Sequence, residues 1–198
     1  MRTIMKPHLI SPQEYLKTEI ESPFRRDYVD GRVYARADER NLHNTISCNV
    51  LGALRFRLRG GKFRVFSSNA KIRICSESMY RFYYPDSQVV ARPYPPQEYF
   101  LEKPLLVTEV LSRLTKRIDE VEKKDAYLSI PSLSMYLLVF QHEPRVVAHR
   151  RKGRGFASEV YEHLDSVIPL PEISVELPLA EIYEAVQFVP EPDGNSER

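Results

Sequence analysis

The run Leu105-Leu106-Val107-Thr108-Glu109-Val110-Leu111 constrains this chain more than any other stretch. It reads as a strand, mostly apolar, with a carboxylate in its middle. Alternation puts Val107, Glu109 and Leu111 on one face and Leu106, Thr108 and Val110 on the other, so Glu109 is flanked by aliphatics. A second carboxylate, Asp86, follows Tyr83-Tyr84-Pro85 near the start of another strand-like segment. An ionised side chain in a protein interior costs roughly several kcal/mol unless something compensates it. A metal ion is the commonest reason to hold two such carboxylates near each other.

The rest of the chain reads as scaffold. Ser11-Pro12-Gln13-Glu14 predicts a helix start: an N-cap serine, proline at the first helical position, and a carboxylate in the first turn. That helix runs to about Ile20. Asp27 to Tyr34 reads as a hairpin around the Asp30-Gly31 turn. Between Asn41 and Leu58 the apolar residues Ile46, Val50, Ala53 and Leu54 recur at helical spacing, and Gly60-Gly61 ends the element. Phe63 to Ile74 and Phe82 to Ala91 read as strands. A helix is expected from about Thr115 to Ser129, with Ile118, Val121 and Ala126 facing inward. Met135 to Phe140 has the continuous apolar character of a buried central strand. A hairpin around Lys152-Gly153-Arg154-Gly155 and a short helix from Leu179 to Val186 complete the order.

The fold class this predicts is α/β, one mixed sheet flanked by helices. Residues 11–187 form a single domain around one core, after an N-terminal extension (1–10) and before a flexible tail (188–198). A chain of 198 residues is long enough to bury roughly 70% of its unfolded surface. No apolar run approaches the ~20 residues of a membrane helix, and the N-terminus has no signal-peptide core, so a cytoplasmic protein with no membrane partner is expected. Cys48 and Cys75 lack any CxxC spacing, which argues against a zinc site and a disulfide framework; both are expected to be small buried residues.

A net charge of +2 is too small for a protein that coats DNA without specificity. The charge is nonetheless clustered. Arg55, Arg59, Lys71 and Arg73 are candidates for DNA phosphate contact, with solvated helix and strand faces as the plainer account. If the strands carrying Asp86 and Glu109 are neighbours, their carboxylates converge on one cation. Hard oxygen donors with no Cys or His nearby favour Mg²⁺ or Mn²⁺, and such ions complete their shells with phosphate oxygens or water. Phosphodiester chemistry follows, and it calls for a further cation near the phosphate. Lys123 stands one helix downstream, with Tyr127 one turn further on the same face; an ordinary pair with Asp119 would account for Lys123 equally well.

Tyr84-Pro85-Asp86 followed by Val107-Thr108-Glu109-Val110-Leu111-Ser112 resembles the PD-(D/E)XK nuclease superfamily. More narrowly, the chain resembles the family described as putative restriction endonucleases, first catalogued as a domain of unknown function and abundant in cyanobacteria. The likeness runs from Ser11 to Tyr183. Asp27 to Tyr34 is similar to the family's opening hairpin, where Asp27 replaces the usual Glu. His43 sits where the family commonly opens its second helix with a histidine. Arg64 to Ser68 and Asp119 to Leu133 also match in order and spacing. Three further departures stand out. Leu111 occupies the position of the superfamily's lysine, Ser112-Arg113-Leu114-Thr115 replaces Ser-Pro-Ser-Thr, and Glu120-Val121 replaces Arg-Gly.

The resemblance implies a restriction-endonuclease-like fold and a metal-dependent DNA endonuclease that cuts as a homodimer. It assigns Asp86, Glu109 and the main-chain carbonyl of Val110 to Mg²⁺ (or Mn²⁺), and Lys123, which matches the family's lysine on the next helix, to the attacking water or the developing charge. Asp27, His43 and Tyr127 are secondary candidates. The alternative is a catalytically inactive nuclease-fold module that binds DNA or protein. A glycan hydrolase is disfavoured, since the tryptophans that often line sugar sites are absent.

Overall fold

The computed structural model describes residues 9–36, 40–77, 79–111 and 118–188, with backbone alone for 118–120. The N-terminal extension through residue 8, the tail from residue 189, the segment Ser112–Thr115 and the Asp119 side chain lie outside the described residues.

The chain opens with α1 (Pro12–Ile20), whose N-cap Ser11 side chain accepts a hydrogen bond from the Glu14 N–H at 3.2 Å. Next come β1 (Arg26–Val29) and β2 (Arg32–Ala35), joined by Asp30 and Gly31 with φ of 47° and 95°. Both turn residues are left-handed, which matches the right-handed twist of the flanking strands. After α2 (Asn41–Arg57) follow β3 (Phe63–Ser67), β4 (Lys71–Cys75), β5 (Tyr80–Tyr83), β6 (Ser87–Ala91), β7 (Phe100–Leu101) and β8 (Pro104–Leu111). A π-helical turn, Ile118–Lys123, runs into α3 (Lys124–Leu128). The chain then forms β9 (Met135–Phe140), β10 (Arg145–Lys152), β11 (Gly155–Glu162), β12 (Val167–Leu170), β13 (Val175–Pro178) and α4 (Leu179–Ile182).

The α/β class holds, but the strands form more than one sheet. A six-stranded sheet has the order β11-β10-β9-β8-β6-β3, a five-stranded sheet the order β2-β1-β5-β4-β7, and β12 pairs with β13 alone. Both larger sheets are mixed, with β8 parallel to β9 and β4 parallel to β7. Each of the two long strands expected from sequence is broken. Phe63–Ile74 divides into β3 and β4, and the stretch through Ala91 divides into β5 and β6. The two arms stay paired with each other across the break, β3 with β6 and β4 with β5. Between the pairs Ser67/Ser87 and Ile72/Tyr83 one arm carries four residues (68–71) and the other three (84–86), so the ribbon bulges and bends from one sheet into the other. Pro85 sits in that bend, where its missing N–H would otherwise interrupt a ladder. The Gln88 side chain donates to the Ala70 carbonyl at 2.7 Å and ties the two arms together there.

Three apolar clusters replace the single expected core. The largest lies where α2 (Ile46, Val50, Leu54), α4 and β12–β13 cover one face of the six-stranded sheet, including Leu106 and Val110. The second lies on the opposite face, where Val107 and Leu111 meet α3 and Ile72, Ile74 and Tyr83. β8 is therefore buried on both sides with the alternation its sequence predicts. The third joins Tyr15 of α1 to Tyr28, Phe82 and Phe100. Glu109 emerges between Val107 and Leu111, toward the second cluster.

Three smaller expectations change. Cys48 and Cys75 are exposed. Val121, expected inside, is 57% exposed, while Lys123 is buried. The π-helical turn explains the exchange: its wider turn shifts which residues face the sheet by comparison with an α-helix. α4 is also shorter than expected. No described helix is long and apolar enough to cross a membrane.

Candidate active site

Asp86 lies in the bend, immediately before β6. Ser87 pairs with Thr108, so one step further back Asp86 comes alongside Glu109. The strand adjacency required for a shared site is met, and the reason is local: Pro85 ends β5 and releases the chain to cross between sheets just before the carboxylate. Both acids are buried, at 4% and 2% exposure.

Each carboxylate is held by a distinct set of groups. The Val110 N–H donates to Asp86 Oδ2 at 2.7 Å, and His43 Nε2 lies 3.2 Å from the same oxygen. The guanidinium of Arg36 lies 3.6 Å from Oδ1. Burial pushes the Asp86 pKa up, but His43, Arg36 and the Val110 N–H outweigh it and hold the acid below its usual range. Glu109 Oε1 accepts the Tyr127 hydroxyl at 3.0 Å and lies 3.3 Å from Lys123 Nζ. Lys123 also lies 3.7 Å from Asp27 Oδ2. The other Asp27 oxygen accepts the Tyr84 N–H at 3.2 Å, linking the β1–β2 hairpin to the bend. Burial, and then the charge of Glu109, keep the Tyr127 pKa well above normal, so its hydroxyl stays a donor.

The fold thus gathers Asp86, Glu109, Lys123, Asp27, His43 and Tyr127 into one place from five segments. Lys123 reaches Glu109 from the end of the π-helical turn, whereas Leu111, at the position of the superfamily's lysine, packs in the second apolar cluster. Arg36 was not anticipated. Its signal was faint but present. Asp27 pairs with Tyr34 in the hairpin, so alternation puts Arg36, two residues on, toward the face of Asp27. Only the crossing chain brings Asp86 within its reach.

The phosphate-contact candidates fare differently. Arg55 and Arg59 are exposed and line, with Arg64, Phe56 and Tyr94, a groove of about 720 Å³ between α2 and β3. Arg73 lies over the Phe100 ring and pairs with Glu102, its Nε donating at 2.7 Å. Lys71 is the correction. It was expected on a wet face, but it is buried and donates to the Tyr84 hydroxyl at 3.0 Å, which in turn donates to Glu19 at 3.0 Å. The bulge displaces the alternation and turns Lys71 inward, where burial lowers its pKa. The tyrosines around the motif pack rather than project: Tyr83 and Tyr84 are 1% and 3% exposed.

Among the described residues, no three His, Cys, Asp or Glu side chains form a ready-made metal cage. The donors that do converge are oxygens on buried acids, with cations of the protein against them; the expectation of no histidine nearby does not hold, because the fold brings His43 to within 3.2 Å of Asp86 Oδ2. That chemistry fits a hard divalent ion rather than zinc.

The family model described as Uma2, putative restriction endonuclease, matches residues 12–180. The chain belongs to this family. It is 28% identical over 180 residues to the uncharacterized protein slr1290 of Synechocystis sp., covering 90% of this chain and 94% of that one. It is 25% identical over 158 residues to sll1609 of the same organism, covering 77% and 87%. In structure it is similar to a putative nuclease of DUF820 from Anabaena variabilis, with a TM-score of 0.72, 18% identity, and coverage of 90% and 99%. The Uma2 match spans both carboxylate-bearing segments and Lys123, and the structural likeness shows that the two chains share a fold.

Proposed function

We propose that this Uma2 protein is an endonuclease that hydrolyses DNA phosphodiester bonds with the help of Mg²⁺ or Mn²⁺. The observation that carries the reading is the meeting of two buried carboxylates, Asp86 and Glu109, with Lys123 at one spot. Asp86 and Glu109 would hold the ion, together with the Val110 carbonyl. A strand residue directs its N–H and C=O to the same side, and the Val110 N–H points at Asp86, so its carbonyl lies on that side too. When bound, the ion supplies an activated water and neutralises phosphate charge.

The chain's own groups set the rest. His43 and the Val110 N–H fix the orientation of Asp86, and Tyr127 fixes that of Glu109. Lys123, anchored by Asp27, holds an ammonium beside the carboxylates, where it orients the attacking water or meets charge developing on the phosphate. Arg55 and Arg59 offer charge to flanking phosphates from the groove. Cutting both strands of a duplex calls for two copies of the site, and a homodimer supplies them.

Calorimetric titration with Mn²⁺, alongside a plasmid-nicking assay, tests the reading. The wild type is expected to show a specific site and to nick DNA, and Asp86→Ala and Glu109→Ala to lose both. A wild type with no specific Mn²⁺ site, or nicking that survives both substitutions, would sink it.

A further inference from the structure

Arg36 makes an unusual pair. Arg57 binds both oxygens of Glu181 closely, at 2.7 and 2.5 Å. Looser pairs occur as well, Arg81–Asp30, Arg145–Glu143, Arg145–Glu162 and Arg150–Glu172 at 3.5–3.6 Å, but the acids in them are about a third or more exposed, whereas Asp86 is buried. Arg36 stands off from Asp86 Oδ1 by 3.6 Å, outside hydrogen-bond range. The two oxygens of Asp86 are also unequal. Oδ2 is taken up by the Val110 N–H and His43, whereas among the described residues Oδ1 meets Arg36 alone. Oδ1 is therefore the oxygen that can be given to a ligand without undoing the groups that orient Asp86. The guanidinium feels Asp27, Glu109 and Asp86 together, so it stands in the common field of all three acids.

We infer that Arg36 is a displaceable cation: it lies against Asp86 Oδ1, yields that oxygen to a divalent ion when one binds, and then faces the substrate phosphate. The inference rests on the metal-dependent reading above. Charge balance supports it. His43 aside, Asp27, Asp86 and Glu109 carry three formal negative charges against the two positive ones of Arg36 and Lys123. A divalent ion turns that into one positive charge, which a single phosphodiester cancels. A planar guanidinium released beside the site also has the donor geometry that phosphate oxygens favour.

Mn²⁺ titration by calorimetry, without DNA, separates the possibilities. Arg36→Met keeps much of the side-chain length and removes the competing charge. It is expected to bind Mn²⁺ about two- to fivefold more tightly than wild type, the range expected on losing a modest ion pair. Arg36→Lys keeps the charge and should stay near the wild-type affinity. In the nicking assay Arg36→Met should lose turnover despite its tighter metal site. Equal or weaker Mn²⁺ binding by Arg36→Met, beside a Glu109-dependent site in the wild type, overturns the inference and leaves the metal reading standing. Undiminished nicking by Arg36→Met overturns the phosphate role. A wild type without a Mn²⁺ site removes the reading and this inference together. Should Arg36→Met fail to fold, Arg36→Gln carries the same comparison.

Discussion

Glu109 can sit inside a sheet because two different donors reach it, one neutral and one charged. Tyr127→Phe keeps the ring and removes only the hydroxyl that donates to Glu109, so it leaves no sizeable cavity. Because the lost bond serves a buried acid, the variant should be destabilised by about 2 kcal/mol, read as a lower urea midpoint at unchanged slope. Lys71 carries a prediction of another kind. Its folded pKa lies below the unfolded value of about 10.4, so between the two the unfolded chain binds more protons. Stability contributed by Lys71 therefore rises with pH through that window. The buried tyrosines Tyr15, Tyr83 and Tyr84, with raised pKa values, act in the opposite direction near pH 10. The comparison must accordingly be made against Lys71→Met: wild type should gain on the variant between pH 7 and pH 10 in urea titrations, and a gap that shrinks would contradict the burial argument. Such residue-level facts were partly legible. A carboxylate amid aliphatics announced Glu109, whereas nothing in the alternation of 70–74 announced that Lys71 turns inward.

Elements were legible where a local rule acts alone. Ser11 caps α1 as its side-chain chemistry requires, and Ser11→Ala should cost about 1 kcal/mol in a denaturant titration. The Asp30-Gly31 turn set the hairpin register and hence the place of Asp27. Elements were illegible where a local rule was overridden from outside. The segment before α3 has helical composition, yet its backbone opens into a π-helical turn, and that turn buries Lys123 in place of Val121. The middle of α2 is joined to the end of α4 by Asn49, whose amide donates to the Ile182 and Glu184 carbonyls at 3.1 and 2.9 Å. Those carbonyls lie at the end of a helix too short to persist alone. Asn49→Ala should therefore loosen α4, seen as faster amide exchange at Leu179–Tyr183 than in the body of α2.

At the scale of the molecule, the two large sheets share the bent ribbon β3–β4/β5–β6, and the second apolar cluster draws on both. The sheets should then unfold together. Buried tyrosines lie in both halves, Tyr15, Tyr28 and Tyr83 on the five-stranded side and Tyr136 and Tyr183 on the six-stranded side, so near-ultraviolet circular dichroism of this tryptophan-free chain reports the packing of both. A single urea transition that coincides with the far-ultraviolet one is expected; a biphasic or displaced near-ultraviolet transition would show that the ribbon does not couple the halves. Legible along the chain were the α/β class, the hairpin, the helices α1 and α2, the two-faced burial of β8, and Asp86, Glu109 and Lys123 as residues worth joining. Those follow from periodicity, capping and the cost of a buried charge, together with motif order, all of which are written along the chain. The split of the strands between two sheets, the inward turn of Lys71 and the approach of Arg36 to Asp86 come from the assembled fold. These depend on where the ribbon bends and on which distant segment it then meets, and pairings between distant segments leave no mark on the periodicity of either.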